Sequence, residues 1–374
     1  MATCRSGIHT VYHPRVTAKL RVGVIGAGVF AAECHIPEIQ SHGDAEVVAL
    51  CGRRAPETRA LADRFHIPDI HTDYRDLCAR HDIDAVTIVT PEKVHCEQAI
   101  CAFAHGKHVL CEKPLAMNVA EARQMVAAAH ESGVVHQVGF IFRYNEGISE
   151  LRRRLARGEI GEPFYLRIQY DTWDGLRPDW QVTWRERYEL GAGGVSFHLG
   201  VHLFDIARYV LGDIESATGF CFNLPRERID KKTGELTRVE TDDFANCWFR
   251  FQNGARGQWC VSRVTPPFAE YGYVEVIGTA GALKASLSRG RIDILKSSRP
   301  AEPAWTNLSL PPSATDNTQH ALRRLMHSFV DSCLRGQIDP NRDASFHDGL
   351  AAQQGLAALI TANGGSWVRL EQAQ

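Results

Sequence analysis

The feature that most constrains the fold is a glycine-rich turn near the start of the chain. An apolar run at residues 20–25 leads into the sequence GAGVFA at 26–31, and a helical pattern follows at once. In such a turn the first glycine permits a tight bend, the second lets a pyrophosphate approach the backbone, and Ala31 keeps the helix close to the strand. The pyrophosphate then faces the helix N-terminus. A purely structural turn is the alternative; the context favours a dinucleotide site formed by Gly26, Gly28, Val29 and Phe30.

The region up to residue 143 alternates short apolar runs with helical stretches. The further runs are 46–51, 85–89, 108–111 and 135–140, with helical segments near 56–65, 97–106 and 118–132. Asn118 and Glu121 predict a capping box for the last of these helices, and Gly133 predicts its end. Continuous apolar strands separated by helices are typical of a parallel sheet covered on both faces. We therefore expect a flexible tail at 1–18 and an α/β Rossmann domain, a doubly wound parallel sheet, at 19–143.

The pattern changes beyond residue 143, where strand-like runs follow one another without helices between them. These runs lie at 164–171, 244–251, 255–262, 273–278 and 291–295. Asn253-Gly254 predicts a two-residue hairpin turn between two of them. Helical stretches near 317–334 and 344–362 close the chain. Residues 144–374 are therefore expected to form a C-terminal α+β domain for substrate binding and oligomerisation, built on a large, mostly antiparallel open sheet.

Composition excludes several classes of partner. The 42 basic and 44 acidic residues give a formal net charge of −2, so no electrostatic footprint for nucleic acid or an anionic membrane is expected. No apolar run is long enough to span a bilayer, and residues 1–18 lack the apolar stretch of a signal peptide. The 11 cysteines are scattered without a C-x-x-C pair, which is typical of reduced thiols. We expect a cytoplasmic protein.

The end of the second strand bears on the choice of cofactor. NAD enzymes carry an acidic residue there, which binds the ribose 2′-hydroxyl. This sequence instead has Gly52, Arg53 and Arg54. Two guanidinium groups would bind a 2′-phosphate, whereas a carboxylate would repel it. NADP is therefore expected in preference to NAD; two solvated arginines on a loop are the alternative.

Two motifs after the later strands carry a family resemblance. Residues 90–95 read TPEKVH and residues 111–115 read CEKPL, with further matching motifs at 138–144, 193–205 and 348–350. With the glycine turn, this ordered set resembles the Gfo/Idh/MocA oxidoreductase family, which acts mainly on sugars and cyclitols. The resemblance covers nearly the whole chain beyond residue 19. It implies a cleft between the domains in which substrate and nicotinamide meet.

The resemblance also implies roles for individual residues. Lys113 would be the active-site lysine that contacts the substrate oxygen and the nicotinamide ribose. Independently, an ammonium at the carboxyl end of a parallel strand lies where ligands bind, and it can stabilise a developing alkoxide. His95 would lie near the nicotinamide, although it can equally be a helix-start residue without ligand contact. The remaining expected cofactor contacts are Thr90, Pro91, Glu112 and Arg143, of which Arg143 would also reach the substrate.

A pair of histidines departs from the family pattern. The family usually shows Asp-x-Gly-x-His, and the corresponding residues here are His198 to His202. The resemblance makes His202 the proton donor or acceptor, since an imidazole can exchange a proton near neutral pH. His198 replaces the aspartate and is expected to orient His202 or contact the substrate. One alternative is a purely structural role for His198. Another is a metal site formed by His198, His202 and Asp205, which have helical ligand spacing; no metal is predicted.

A tryptophan-rich stretch precedes these histidines. Indole rings beside acidic and basic groups suit the faces and hydroxyl edges of a sugar ring. Trp173, Trp184 and Arg185 are therefore expected to line the substrate pocket. A loop packed on the domain interface or on a neighbouring subunit is the alternative.

Together these features predict an NAD(P)-dependent dehydrogenase or reductase that interconverts a secondary alcohol and a ketone on a sugar, cyclitol or related polyol. Two alternatives stay open: a redox-neutral, NAD-dependent glycoside-cleaving enzyme of the same fold, and a non-catalytic ligand sensor. The resemblance further suggests a homodimer or homotetramer formed through the open face of the second sheet, which would otherwise expose apolar area.

Overall fold

A computed structural model describes residues 19–191, 193–266, 272–287, 295–308 and 318–371. The expected tail at 1–18 and most of the expected strand at 291–295 lie outside the described residues.

The N-terminal domain is built on a six-stranded sheet whose strand pairs are all parallel. Its order is β3-β2-β1-β4-β5-β6, which is the doubly wound arrangement predicted from the alternating pattern. Every residue of β4 and β5 is buried, because helices cover both faces of the sheet. The strands are β1 (Leu20–Ile25), β2 (Ala45–Cys51), β3 (Asp69–His71), β4 (Ala85–Ile88), β5 (His108–Cys111) and β6 (His136–Val138).

The helix predicted near residues 118–132 begins and ends where local sequence signals place its caps. The Asn118 side chain accepts a hydrogen bond from the Glu121 backbone at 3.0 Å, and Gly133 ends the helix with a φ of +64°. The Glu121 carboxylate accepts a hydrogen bond from the backbone N–H of Met117. A capping box would use the N–H of Asn118, so the bond falls one residue before the predicted position. The helices are α1 (Ile36–Gln40), α2 (Ala55–Arg64), α3 (Tyr74–Cys78), α4 (His95–Ala104) and α5 (Val119–Ser132).

The second sheet has nine strands in the order β16-β15-β14-β13-β7-β12-β11-β8-β17, and a separate ribbon pairs β10 with β9. All its pairs are antiparallel except β12 with β7, as expected for a mostly antiparallel sheet. The strands are β7 (Pro163–Asp171), β8 (Ile214–Phe222), β9 (Glu227–Ile229), β10 (Leu236–Arg238), β11 (Phe244–Phe251), β12 (Arg256–Ser262), β13 (Gly272–Gly278), β14 (Gly281–Ser286), β15 (Leu295–Arg299), β16 (Glu302–Leu308) and β17 (Val368–Arg369).

The turn between β11 and β12 differs slightly from the prediction. The backbone N–H of Phe251 donates to the carbonyl of Ala255 at 3.0 Å, which leaves three residues in the loop rather than two. Gly254 adopts a φ of +91°, a conformation that favours glycine. The Asn-Gly signal therefore located the hairpin correctly but not the length of its loop.

Helices cover one face of this sheet and leave the other open. The helices of this half of the chain are α6 (Glu146–Ala156), α7 (Tyr188–Gly191), α8 (Val201–Leu211), α9 (Thr318–Arg335) and α10 (Phe346–Ala362). Of these, α10 packs on β8 and α8. On the opposite face Phe220, Phe222 and Trp248 are 39%, 50% and 38% exposed, so an apolar surface remains uncovered.

One helix returns to the first domain. Leu325, Met326 and Phe329 of α9 are fully buried in the same apolar cluster as Val22 and Val24 of β1. The helix α9 lies within residues 144–374, which were expected to form the second domain, but it packs into the core of the Rossmann domain. Among the helices of the described ranges, none combines the length and hydrophobicity that a bilayer crossing needs.

Candidate active site

The glycine turn forms an open edge at the carboxyl end of β1. Gly26 has a φ of +120°, and a Cβ there would approach the Val89 carbonyl to 2.7 Å, so only glycine fits. A Cβ on Gly28 would meet nothing within 4 Å, which leaves its backbone accessible to a ligand. Val29 and Phe30 are 71% and 37% exposed beside it. The turn thus exposes the backbone before the π-helical segment Ala31–His35, which runs into α1, as binding of a dinucleotide pyrophosphate requires.

The basic residues after β2 lie at the surface. Arg53 and Arg54 are exposed, and Arg54 Nε lies 3.2 Å from Glu57 Oε1. Close packing also explains the glycine at position 52, because a Cβ there would approach Thr58 Oγ1 to 2.4 Å. A guanidinium pair is therefore available at the carboxyl end of β2, with one arginine in contact with a carboxylate.

Two residues that were expected to contact the cofactor face inward. His95 is 1% exposed, and its ring nitrogens lie 2.8 Å from the Thr90 carbonyl oxygen and 3.1 Å from the Pro114 carbonyl oxygen. Glu112 is 6% exposed; it lies 3.2 Å from His35 Nε2 and accepts a hydrogen bond from the Lys113 backbone at 3.2 Å. Both side chains are buried and brace the loops that carry Thr90, Pro91 and Lys113, and the expected contacts of His95 and Glu112 with the cofactor stay predictions.

Lys113 connects the two domains. It follows β5, and its Nζ donates to the backbone carbonyl of His198 at 3.1 Å. The side chain is partly exposed. Its ammonium therefore lies at the carboxyl edge of the parallel sheet, next to the histidine segment of the second domain, which is where the sequence placed it.

The histidine segment lies on an irregular helix. A π-helical turn at Ser196–Gly200 carries His198 and runs directly into α8, which begins at Val201 and carries His202. His202 is 5% exposed, and its ring packs edge-on against Phe142 and Phe140 with centroids 5.0 and 5.7 Å away. Phe142 therefore supplies an apolar wall beside the expected acid–base residue.

Glu92 is a site residue to which the sequence analysis assigned no role. It is 3% exposed, and its Oε1 lies 3.5 Å from His198 Nδ1. Burial raises the pKa of Glu92 to about 7, although a backbone hydrogen bond and the charges of Lys113 and Arg185 act in the opposite direction. Burial, together with Lys113, Arg185 and Arg263, holds the pKa of His198 well below its usual value. The available signal was a carboxylate inside the motif at 90–95.

Arg143 is not placed at the cleft. It is 3% exposed; its Nη2 lies 2.6 Å from Asp205 and 2.9 Å from Asp348, and its guanidinium also lies over the Tyr209 ring. These contacts engage the guanidinium deep in the protein and favour a structural role, and the role of Arg143 in cofactor and substrate binding stays a prediction.

The contacts of Asp205 also bear on the alternative of a metal site with His198 and His202. Asp205 is directed at Arg143 rather than toward the histidines. Within the described part of the chain, no cluster of three or more His, Cys, Asp or Glu side chains has metal-binding geometry.

The tryptophan-rich segment is only partly defined. Trp173 is 51% exposed, and Arg185 is exposed in a 3-10 turn at Trp184–Glu186. The side chain of Trp184 lies outside the described part of the structure. Arg185 acts on the charge of Glu92 and of His198, so it lies near the site, whereas Trp173 has solvent around half of its surface.

Comparison with known proteins identifies the family of the chain. Residues 20–140 match the oxidoreductase family with an NAD-binding Rossmann fold, and residues 148–284 match the Gfo/Idh/MocA C-terminal domain. The chain is 36% identical over 264 residues to 1,5-anhydro-D-fructose reductase of Ensifer adhaerens, covering 70% of this chain and 74% of that protein. It is 29% identical over 270 residues to myo-inositol 2-dehydrogenase of Thermotoga maritima, covering 71% and 75%.

The fold has a close solved counterpart. Levoglucosan dehydrogenase in complex with NADH and levoglucosan superposes with a TM-score of 0.85 at 24% identity, covering 95% of this chain and 100% of that one. The predicted fold class and the prediction of an NAD(P)-dependent oxidoreductase are confirmed. The chain belongs to the Gfo/Idh/MocA family of oxidoreductases.

Proposed function

We propose that the protein interconverts a secondary alcohol and a ketone on a sugar, cyclitol or related polyol, with NADP(H) preferred. The observation that carries this proposal is the convergence of Lys113, Glu92 and His198 at the carboxyl edge of the parallel sheet. Ligands bind at this edge in open α/β sheets. The names of the related reductase and inositol dehydrogenase support a polyol substrate.

Lys113 and His202 have different roles in the proposed reaction. A dinucleotide whose pyrophosphate binds at the glycine turn would supply a nicotinamide as the hydride acceptor or donor. Lys113 binds the substrate oxygen and stabilises negative charge on it as the alcohol is oxidised. His202 takes the hydroxyl proton in oxidation and returns it in reduction. Phe142 and Phe140 keep water from the imidazole by packing on its edges.

The preference for NADP depends on Arg53 and Arg54. Each charge-assisted hydrogen bond to the 2′-phosphate contributes about 1.5–3 kcal/mol, so NADPH is expected to bind at least about tenfold more tightly than NADH. Arg54→Ala, directly before α2, should reduce this ratio, while Arg64→Ala at the far end of α2 should leave it unchanged. Titration of intrinsic fluorescence with both nucleotides measures it; equal affinities in the wild type would refute the preference.

Assembly and location belong to the same proposal. The open sheet face with Phe220, Phe222 and Trp248 supports a homodimer or homotetramer, since exposed apolar patches of this kind mark interfaces. No disulfide joins the cysteines in the described ranges, which supports a reducing cytoplasm.

The decisive experiment screens sugars and cyclitols for reduction of NADP⁺ and NAD⁺, followed by Lys113→Ala on the best substrate. We expect turnover to fall at least about a hundredfold while nucleotide affinity is retained. Lys93→Ala is the matched control, because Lys93 is exposed on the neighbouring loop. Near-normal turnover in Lys113→Ala would refute the mechanism; product formation without net nucleotide reduction would instead favour the redox-neutral alternative.

A further inference from the structure

Glu92 occupies an unusual position for a carboxyl group. It opens a 3-10 turn at Glu92–Val94 directly before α4, just past the carboxyl end of β4. Only 3% of its surface is exposed. An acidic residue is seldom buried this deeply unless it is paired or has a function.

The contacts of the Glu92 carboxyl group use only part of its hydrogen-bonding capacity. Oε1 lies 3.5 Å from His198 Nδ1, which is longer than an ordinary hydrogen bond. Oε2 is buried and has no hydrogen-bond partner among the described residues. Catalytic contacts are often long before a substrate binds and tighten in the complex. The carboxyl group of Glu92 therefore faces His198 of the other domain, and its Oε2 can form a further hydrogen bond.

The groups around Glu92 come from three sides. Lys113 and Arg185 favour its ionised form, whereas Glu112 and the burial itself oppose ionisation. The short helix α7, which carries Tyr188 and Glu189, packs against the turn. Arg263, through its effect on His198, further disfavours a charged imidazole. Burial thus brings the pKa of Glu92 close to neutrality, whereas the pKa of His198 is held well below its usual value.

We propose that Glu92 is the carboxylate partner of the histidine pair: a positioning residue that acts from the first domain on His198 and Lys113 of the catalytic centre. This proposal rests on the proposed dehydrogenase function. It accounts for the histidine at position 198, where the family usually has an aspartate, because the negative charge is supplied across the domain interface.

The proposal has a definite pH dependence. In oxidation, a hydride would pass from the carbinol carbon to a bound nicotinamide, and the hydroxyl proton passes to His202, which becomes positively charged. Glu92 contacts His198, one helical turn before His202; it stabilises that charge through space when it is ionised and does not when it is protonated. Oxidation should therefore accelerate as the pH rises through the pKa of Glu92, near neutrality.

The test compares Glu92→Gln, Glu92→Asp and Glu97→Gln. Gln preserves the shape but cannot ionise, Asp preserves the charge, and Glu97 is an exposed control on α4. The measurement is kcat/KM for oxidation from about pH 5 to about pH 9. Glu92→Gln should lose the rise near neutrality and fall by about a hundredfold in kcat at high pH, with nucleotide KM unchanged; Glu92→Asp should restore the rise. A Glu92→Gln profile that coincides with those of the wild type and Glu97→Gln would overturn the proposal.

A measurement that needs no substrate separates this proposal from the proposed function. Infrared difference spectra of the NADPH complex, recorded across the same pH range, should show one carboxyl that ionises near neutrality in the wild type and in Glu97→Gln but not in Glu92→Gln. If no polyol is oxidised but this carboxyl is present, the dehydrogenase function fails while the charge state of Glu92 stands. If no such carboxyl is found, the role of Glu92 is refuted even in an active dehydrogenase.

Discussion

Replacing Arg143 by Met tests whether this residue holds the fold or binds a ligand. The guanidinium is 3% exposed and contacts Asp205 and Asp348 at 2.6 and 2.9 Å. Met fills much of the same volume but leaves Asp205, itself 1% exposed, without its counter-charge. Asp348 keeps a second partner, since Arg208 lies 3.0 Å from it. The cost should therefore come mainly from Asp205.

The expected magnitude follows from the burial of the pair. Removing one partner of a buried ion pair costs about 3–5 kcal/mol, because the other charge stays behind uncompensated. At about 2 °C per kcal/mol, the melting temperature should fall by roughly 6–10 °C. Burial already raises the pKa of Asp205, and Arg143 opposes that rise; without Arg143 the pKa rises further. A carboxyl with a raised pKa loses stability as the pH increases, so the deficit should be larger at high than at low pH.

Thermal unfolding and nucleotide titration together decide the matter. Arg153→Met is the control: its ion pair with Glu150 has an arginine side chain that is 51% exposed, so it should cost less than about 1 kcal/mol. The double variant Arg143→Met/Asp205→Leu should recover most of the lost stability, because removing both charges of a buried pair is often nearly neutral. An Arg143→Met protein with normal unfolding but weakened nucleotide or substrate binding would refute the structural role.

Two further predictions concern Glu92 and the open sheet face. Burial in the folded state raises the pKa of Glu92 from 4.5 to about 7, so the wild type loses stability as the pH rises through that range. At high pH, Glu92→Gln should therefore be more stable than the wild type by up to about 3 kcal/mol. Near pH 4 the two proteins should differ little, and thermal unfolding measures both effects. Equal stability of the two proteins at every pH would contradict this. Trp248→Glu should dissociate the oligomer in light scattering, whereas Leu236→Glu, on the exposed ribbon, should not. A monomeric wild type would contradict the assembly.

Much of the fold could be predicted because it depends on short-range patterns. The apolar runs that became β1, β2, β4 and β5 are short and compact, and α5, which follows them, carries its own caps at Asn118 and Gly133. The glycine turn was recognisable because the backbone at Gly26 adopts a conformation that only glycine accepts readily. Lys113 and His198 could be named from motifs, and the structure brings them into contact at 3.1 Å.

The partners of buried charges could not be predicted in this way. Arg143 pairs with Asp205, 62 residues away, and His35 lies against Glu112 across 77 residues. A motif shows that such residues are present but not whether they face a ligand or one another. Their burial, and with it their role, depends on how the two domains pack.

The sequence by itself determined the alternation of strands and helices, the position of the dinucleotide turn and the residue types at the cleft, since each follows from local conformational preference and periodicity. The tertiary structure alone decided that α9 returns to the first core and that Glu92 meets His198. Both depend on contacts between segments far apart in the chain, because burial and charge interactions act through distance in space and leave no periodic signal in the sequence.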